Sequence, residues 1–285
     1  MTASTGFVLV DKPRGPTSHD VVARLRRVFG VKRIGHAGTL DPLATGLLVV
    51  AVGPATRLLR YVQGLPKTYD VTGVLGVRTS TLDAEGEVLS RSNVHVTPDG
   101  IRFAAARFVG EIEQVPPAVS AIKVDGERAY KRAARGEEVV IEARKVTIHA
   151  FDILRTSRDA FDARVICSSG TYIRSLVADV GDVLGCGAHV GHLRRVAIGE
   201  LEARDAVPLE AVVPECLVPI TDVLSHLPRV DIDAETTLAA RQGKRLTLDA
   251  PAGEVLLVGP DGAVGVFTST DGSVRAETVV GQAND

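Results

Sequence analysis

Asp41 is the only acidic residue between positions 21 and 69, a stretch that also holds eight cations: Arg24, Arg26, Arg27, Lys32, Arg33, Arg57, Arg60 and Lys67. It lies in GHAGTLDPLATGLLVV (35–50), where Pro42 turns the preceding aspartate away from helix. Gly35, Gly38 and Gly46 allow tight turns and the close approach of a ligand. Cations around a carboxylate hold it ionised, which suits a nucleophile and not a general acid. The competing reading is an aspartate whose side chain fixes its own turn. Local spacing leaves both open.

Arg174 sits in the first turn of the helical segment TYIRSLVADVGDVLG, where a cation opposes the helix dipole. That cost calls for an acidic partner or a bound phosphate; the alternative is an exposed arginine covering a helix end. Tyr69 and Tyr172 are two of only four tyrosines, and each lies near a cation, Lys67 and Arg174. Base-stacking platforms flanked by phosphate contacts have this pattern, and so do core tyrosines. His189 and His192 are spaced to share a metal, yet no Cys or acidic residue stands nearby, so polar or backbone-binding histidines are expected and no metal. Glycine-rich nucleotide loops and local Ser or Cys nucleophile signatures are absent.

These residues must be positioned by elements the periodicity reveals. FVLVD (7–11) reads as a buried strand leading into the turn KPRGP. TSHDVVARLRRVFG reads as a helix capped by Ser18, with Asp20 in its first turn and Gly30 at its stop. Its stripe is Val21, Val22, Leu25, Val28 and Phe29, leaving Arg24, Arg26 and Arg27 outside, as a solvated face or an RNA contact. LLVVAV (47–52) is a buried strand, followed by a short helix over about 56–63. YDVTGVLGV (69–77) alternates like a strand, TPDGIRFAAARF starts a helix, and ERAYKRAARG (127–136) is a basic helical piece. In the helix of Arg174, Ile173, Leu176, Val177, Val180 and Leu184 point inward. After about 226–229 the composition changes to short Val/Leu runs broken by PAGE, GPDG and STDG, the pattern of a small β-rich domain.

The bulk numbers agree with a globular chain. Of 285 residues, 45% are hydrophobic and 24% charged, enough for a real core built with no Trp. Three scattered cysteines, Cys167, Cys186 and Cys216, form no disulfide framework and point to a reducing cytoplasm. No signal peptide or membrane span is read from the sequence. Net charge is −2, but residues 230–285 carry nine acids against four cations, so the positive excess lies in the first part of the chain. A polyanion footprint can be local in this way.

Five ordered motifs, over about residues 6–200, resemble the bacterial tRNA pseudouridine synthases of the TruB type. GHAGTLDPLATGLL resembles their signature and VLVDKPRGPTSHDVV their opening motif. KTYDVTGVLGVRTSTLDAEG resembles the Tyr-bearing strand and its following loop, and SAIKVDGERAYKRAARG the RNA-contacting insertion. CSSGTYIRSLVADVGDVLGCGAHVGHLRR resembles the Arg-bearing motif and the segment after it. The resemblance implies that Asp41 is the catalytic aspartate, Tyr69 a base-stacking residue and candidate proton acceptor, and Arg174 the partner of the aspartate. His36, Tyr172 and Leu193 would line a flipped-out nucleotide, and Lys12, the lysine of the opening motif, is counted with them as substrate-binding. The implied fold is mixed α/β (α+β): a catalytic domain (1–227) around a mostly antiparallel sheet, with an RNA-contacting insertion (about 120–145). A small C-terminal β-rich, PUA-like domain (228–285) would follow.

The implied reaction converts the T-arm uridine of tRNA, position 55, to pseudouridine. The bond from ribose to N1 breaks, uracil turns, and a bond to C5 forms, so no cofactor is expected. Asp41 could attack C1′, add to C6, or assist loss of the C2′ proton. A tyrosine near its ordinary pKa of about 10 is a weak base, so Tyr69 in that role needs help from its surroundings. The expected partner is the tRNA T stem-loop, with no membrane and a monomeric protein. Two other readings share these surfaces: a tRNA-binding or folding protein in which catalysis is secondary, and a guide-RNA-dependent synthase subunit. The latter usually carries longer basic extensions, whereas this sequence ends VVGQAND. An aspartate-dependent glycosidase would need a second carboxylate.

Overall fold

The computed structural model describes residues 5–117, 123–124, 127–128, 135 and 141–281. It forms two compact units, one of residues 1–65 with 197–285, the other of residues 66–196. The chain enters the first unit with strand β1 (Gly6–Lys12), antiparallel to β3 (Thr45–Val52) from Gly6↔Val52 to Lys12↔Gly46. Leu47, Val49 and Ala51 join one apolar cluster with Phe7 and Leu9, while Leu48, Val50 and Val52 are buried as well. A strand covered on both faces reads as a continuous apolar run, which is why LLVVAV does not alternate. The short β2 (Ile34–His36) pairs with β3 at His36↔Val50.

Between β1 and β2 lies helix α1 (Ser18–Phe29). Its cap is Thr17, not the expected Ser18: Thr17 accepts from the Asp20 amide, and the Asp20 carboxylate accepts from the Thr17 amide. Ser18 already has helical backbone, and its hydroxyl is engaged elsewhere. Gly30 ends the helix at φ +64, a left-handed cap that glycine takes without strain. Val21, Val22 and Leu25 are buried, each contributing about 1.5–3 kcal/mol, whereas Val28 and Phe29 are only half-buried. Arg26 and Arg27 are exposed, and Arg24 donates to the Glu210 carbonyl at 3.3 Å. A 3-10 turn (Gly53–Leu58) and helix α2 (Leu59–Gln63) close this part.

The second unit begins with β4 (Lys67–Leu75), whose buried residues alternate from Lys67 through Tyr69 and Val71 to Leu75. The strand stops before the expected Val77. Gly76 has φ +78, and a Cβ there would stand 2.7 Å from the Ser92 carbonyl, so the chain turns and pairs again as β5 (Val77–Thr79) with β6 (Val88–Arg91). Helix α3 (Pro98–Ala106) is capped by Thr97, as its Thr-Pro start predicts. Next come β7 (Gly110–Gln114), the two-residue strands β8 (Lys123–Val124) and β9 (Glu127–Arg128), β10 (Arg144–Thr156) and β11 (Ala160–Cys167). The basic piece 127–136 therefore opens as strand; the remainder of the expected insertion and helix lies mostly outside the described residues. Strands β7, β10, β11 and β4 pair antiparallel in that order, with Cys167↔Lys67 and Val165↔Tyr69 in register. Helix α4 (Ile173–Val183) and β12 (Ala188–Ile198), the neighbour of β4, complete the unit.

Back in the first unit, β13 (Leu201–Glu202) pairs with the end of β12, and β14 (Val207–Pro208) lies parallel to β1. The pairings of β1 and β2 with β3, and of β4 and β10 with β11, are antiparallel, so each unit has the mixed α/β character expected. A four-residue helix α5 (Ile220–Val223) precedes a separate five-stranded sheet of β15 (Arg229–Asp231), β16 (Leu246–Thr247), β17 (Gly253–Gly259), β18 (Gly262–Thr270) and β19 (Ser273–Val279). Helix α6 (Ala234–Arg241) contributes Ala240 to its core beside Val255, Leu257, Val264 and Phe267. Among the described residues no helix is long and apolar enough to cross a membrane.

Candidate active site

In the first unit, Asp41 stands in the loop between β2 and β3, and its carbonyl accepts from the Ala44 amide at 3.1 Å. The turn is thus closed by main chain. Two further elements hold it. The Ser18 hydroxyl of α1 accepts from the Leu40 amide (2.9 Å) and donates to the Leu40 carbonyl (3.1 Å), which is the task that removes Ser18 from capping. On the other side, the fully buried Lys12 donates to the carbonyls of Pro13 (2.9 Å), Pro16 (2.9 Å) and Pro42 (3.4 Å), and the Gly15 amide donates to Pro42 as well. A buried ammonium needs this degree of satisfaction. Lys12 therefore anchors the turn from below, which the sequence did not disclose. His36 is half-buried on β2, meets His19 edge-on at 5.8 Å, and its carbonyl accepts from Gln63. The structure so brings Lys12, Asp41 and Ser18 together around one turn.

In the second unit, Tyr69 lies on the buried face of β4, and Leu193 is buried on β12. Arg174 is 3% exposed, which corrects the alternative of an exposed arginine over a helix end. It forms an ion pair with Asp83 at 3.3 Å and donates to the Thr81 carbonyl at 2.7 Å, the acidic partner its place in the first turn calls for. Asp83 is itself buried and fixed: its Oδ1 accepts from the Thr81 hydroxyl (2.5 Å) and the Glu85 amide (3.0 Å), and its carbonyl accepts from Thr79 (2.7 Å). The loop also bridges to β12, through Val190 amide to Leu82 carbonyl and Ala84 amide to Val190 carbonyl. Leu82 pays for this arrangement with φ +61, a left-handed conformation uncommon for leucine. The sequence pattern TSTLDAEG gave Asp83 no role of its own. The signal was the need of Arg174 for an acidic partner.

Tyr172 sits at the start of α4, where the buried Gln114 brackets it, accepting from its amide (2.8 Å) and donating to its carbonyl (3.0 Å). One face of its ring carries the Arg144 guanidinium, 4.6 Å from the centroid, and Arg144 also bonds the Gly170 carbonyl. The aromatic platform read from the sequence is thus an Arg–Tyr stack. His189 is buried with Nδ1 3.1 Å from the Val77 carbonyl, a backbone-binding histidine as expected. No group of three or more potential metal ligands occurs among the described residues. Burial pushes the Cys167 thiol up to about 11, so it stays protonated and unreactive at neutral pH.

Asp179 on α4 is pushed up to about 6, first by burial and then by the neighbouring Asp182. Because its folded pKa lies above the ordinary carboxylate value of about 3.9, the ionised form is disfavoured by folding. The penalty is complete above pH 6 and vanishes as pH falls towards 4. Asp179→Asn is therefore expected to stabilise the fold at pH 8 by on the order of 1 kcal/mol once solvent screening is allowed for, read as a higher melting temperature, and to lose that advantage below pH 4. Equal melting of variant and wild type at pH 8 would contradict this account.

The chain has relatives of known activity. Residues 26–173 match the TruB family pseudouridylate synthase (N terminal domain), and residues 174–226 match the tRNA pseudouridylate synthase B C-terminal domain. The chain is 48% identical over 274 residues to the tRNA pseudouridine synthase B of Leifsonia xyli subsp. xyli, covering 91% of each chain. It is 45% identical over 294 residues to that of Ralstonia nicotianae, covering 96% of this chain and 94% of the other. A crystal structure of a Cbf5-Nop10-Gar1 complex contains a chain of similar fold, with a TM-score of 0.76 and 26% identity over 100% of this chain and 87% of that one. The family match spans both units and runs through the turn of Asp41, the strand of Tyr69 and the loop of Asp83, and the chain belongs to the TruB family of pseudouridylate synthases.

Proposed function

We propose that this pseudouridine synthase acts on the T-arm uridine of tRNA, position 55, with Asp41 as its catalytic carboxylate. Family membership carries the activity class: the chain isomerises uridine in tRNA to pseudouridine. The Asp41 role is best supported by the turn itself. Main-chain closure, with Ser18 and Lys12 holding the flanking carbonyls and amide, fixes the backbone from which the Asp41 carboxylate is presented. A side chain presented from so fixed a backbone suits a reaction that depends on placement.

In this reading Asp41 attacks C1′, adds to C6, or assists proton loss from C2′. Tyr69 stacks on the uracil, Arg174 provides positive charge, and His36, Tyr172 and Leu193 line the nucleotide, with Lys12 holding the turn. The uridine must leave its stack at a cost of roughly a few kcal/mol, offset by stacking and pocket contacts. Exposed arginines of α1 would meet phosphates and read a folded stem-loop by shape. The catalytic domain is assigned to residues 1–227, with the insertion of about 120–145 contacting RNA. Residues 228–285, with their five-stranded sheet, are assigned to a PUA-like module, and the protein to the cytoplasm as a monomer.

The test uses wild-type protein and unmodified tRNA transcript, with pseudouridine mapped along the RNA, beside a transcript carrying cytidine at position 55. Conversion is expected only at the T-loop uridine and not at all in the cytidine transcript. Efficient conversion at another position, with the T-loop uridine left intact, would overturn the substrate assignment.

A further inference from the structure

Two buried cations of the second unit have no task in the chemistry above. Lys67 opens β4 and is 5% exposed; Arg195 lies on β12, the adjacent strand, and is 1% exposed. Side chains two apart on a strand share a face. Lys67 therefore shares the face of Tyr69, 9% exposed, and Arg195 that of Leu193, 5% exposed. Tyr69 and Leu193 are residues assigned above to the target base, so the inference rests on that reading. The surroundings of Lys67 are identifiable: Cys167 lies opposite on β11 with its thiol 3.8 Å from the Lys67 carbonyl, and α4, packed against β4, carries Arg174 and Asp179. Neither cation is without a partner, yet burying an ammonium and a guanidinium on neighbouring strands is costly, and such placements concentrate where a reaction uses the field.

We propose that Lys67, supported by Arg195, is a positioning residue whose fixed positive field holds the negative charge that uracil acquires during isomerisation. Every route to the product passes through such charge. If the N1–C1′ bond breaks by attack at C1′ or by glycal formation, its electron pair goes to N1 and spreads over O2 and O4. If Asp41 adds to C6, the pair of the C5–C6 double bond moves onto O4 as an enolate. On the first route C5 displaces Asp41 from C1′; on the glycal route C5 bonds C1′ as C2′ regains its proton. On the C6 route the N1–C1′ bond breaks, C5 bonds C1′, and Asp41 leaves C6 as C5 loses its proton. In each case the C5 proton leaves and N1 takes one up, so Asp41 is regenerated and the uracil ends neutral. A preorganised cation two residues along the same strand face from the stacking tyrosine stabilises the charged stage without having to reorganise.

Single-turnover conversion of a T-arm stem-loop by wild type, Lys67→Arg and Lys67→Met, from pH 6 to 10, tests this. Burial, reinforced by the charge of Arg195, brings the Lys67 ammonium down to about 8. The wild-type rate should accordingly fall above that pH as the charge is lost. Lys67→Arg keeps its charge and should remove that alkaline fall. Lys67→Met should convert roughly 10- to 100-fold more slowly at pH 7, with no alkaline fall of its own and with RNA affinity within about twofold of wild type. A lysine that only shapes the strand would alter melting or affinity and leave the alkaline fall unchanged in Lys67→Arg, which would overturn the proposal. So would Lys67→Met converting at the wild-type rate. If Lys67→Met does not fold, the wild-type and Lys67→Arg profiles decide. Asp41→Asn run in parallel separates the two ideas: its conversion at the wild-type rate sinks the site reading, whereas its inactivity beside a fully active Lys67→Met sinks only the role of Lys67.

Discussion

Asp41→Asn is expected to abolish pseudouridine formation while tRNA affinity stays within about twofold of wild type. The amide matches the carboxylate in size, and the turn it sits in is closed by the Ala44 amide and held through Leu40 and Pro42, so the backbone has no reason to move. What disappears is the negative charge that all three routes require, and the loss in rate should be on the order of 10⁴-fold or more. Measuring pseudouridine and affinity in the same samples also separates enzyme from chaperone: retained refolding of tRNA by the inactive variant would show that binding and catalysis are separable functions of one surface. Conversion at the wild-type rate would return Asp41 to the status of a turn residue. The nucleophile would then have to be sought elsewhere.

Asp83→Asn carries the second largest expected effect, because it strikes stability and rate together. Asp83 and Arg174 are both buried, and removing one member of such a pair takes a charge partner from the other, typically at a cost of up to about 3–5 kcal/mol. Asparagine can keep the hydrogen bonds from Thr81 and Glu85, so the loop should hold its shape while the charge is lost. We expect a clearly lower melting temperature and conversion slowed roughly 10²-fold per folded molecule, since Arg174 is then held by the Thr81 carbonyl with a weaker tie to the loop. A double-mutant cycle with Arg174→Met measures the coupling directly. Should Asp83→Asn melt early yet convert at the wild-type rate per folded molecule, the pair is structural and Arg174 needs no carboxylate to do its part. Unchanged melting and rate together would dismiss both roles.

Much of this protein was legible along the chain because the relevant forces act over a few residues. The strand at LLVVAV, the helix that Gly30 ends, the Thr-Pro start at Thr97 and the β-rich character after residue 229 follow from periodicity, caps and turn residues. Asp41 stood out by isolation of charge, and the backbone role of His189 by the absence of metal-ligand neighbours. Ordered motifs then joined these fragments into a family.

Tertiary structure decided what local chemistry leaves balanced. Thr17 and Ser18 are equally good caps; Ser18 lost the role because the main chain of Leu40, distant in sequence, is within reach of its hydroxyl. Whether Arg174 is exposed, phosphate-bound or paired depended on a loop from another part of the chain arriving with Asp83, held there by Val190. One face of Tyr172 is taken by Arg144, and Lys67, which reads as one of eight cations and a possible phosphate contact near Tyr69, is buried and feels the charge of Arg195. A residue's type states what it can bond to, but long-range pairing selects among the possible partners. Desolvation then sets how strongly each charge acts.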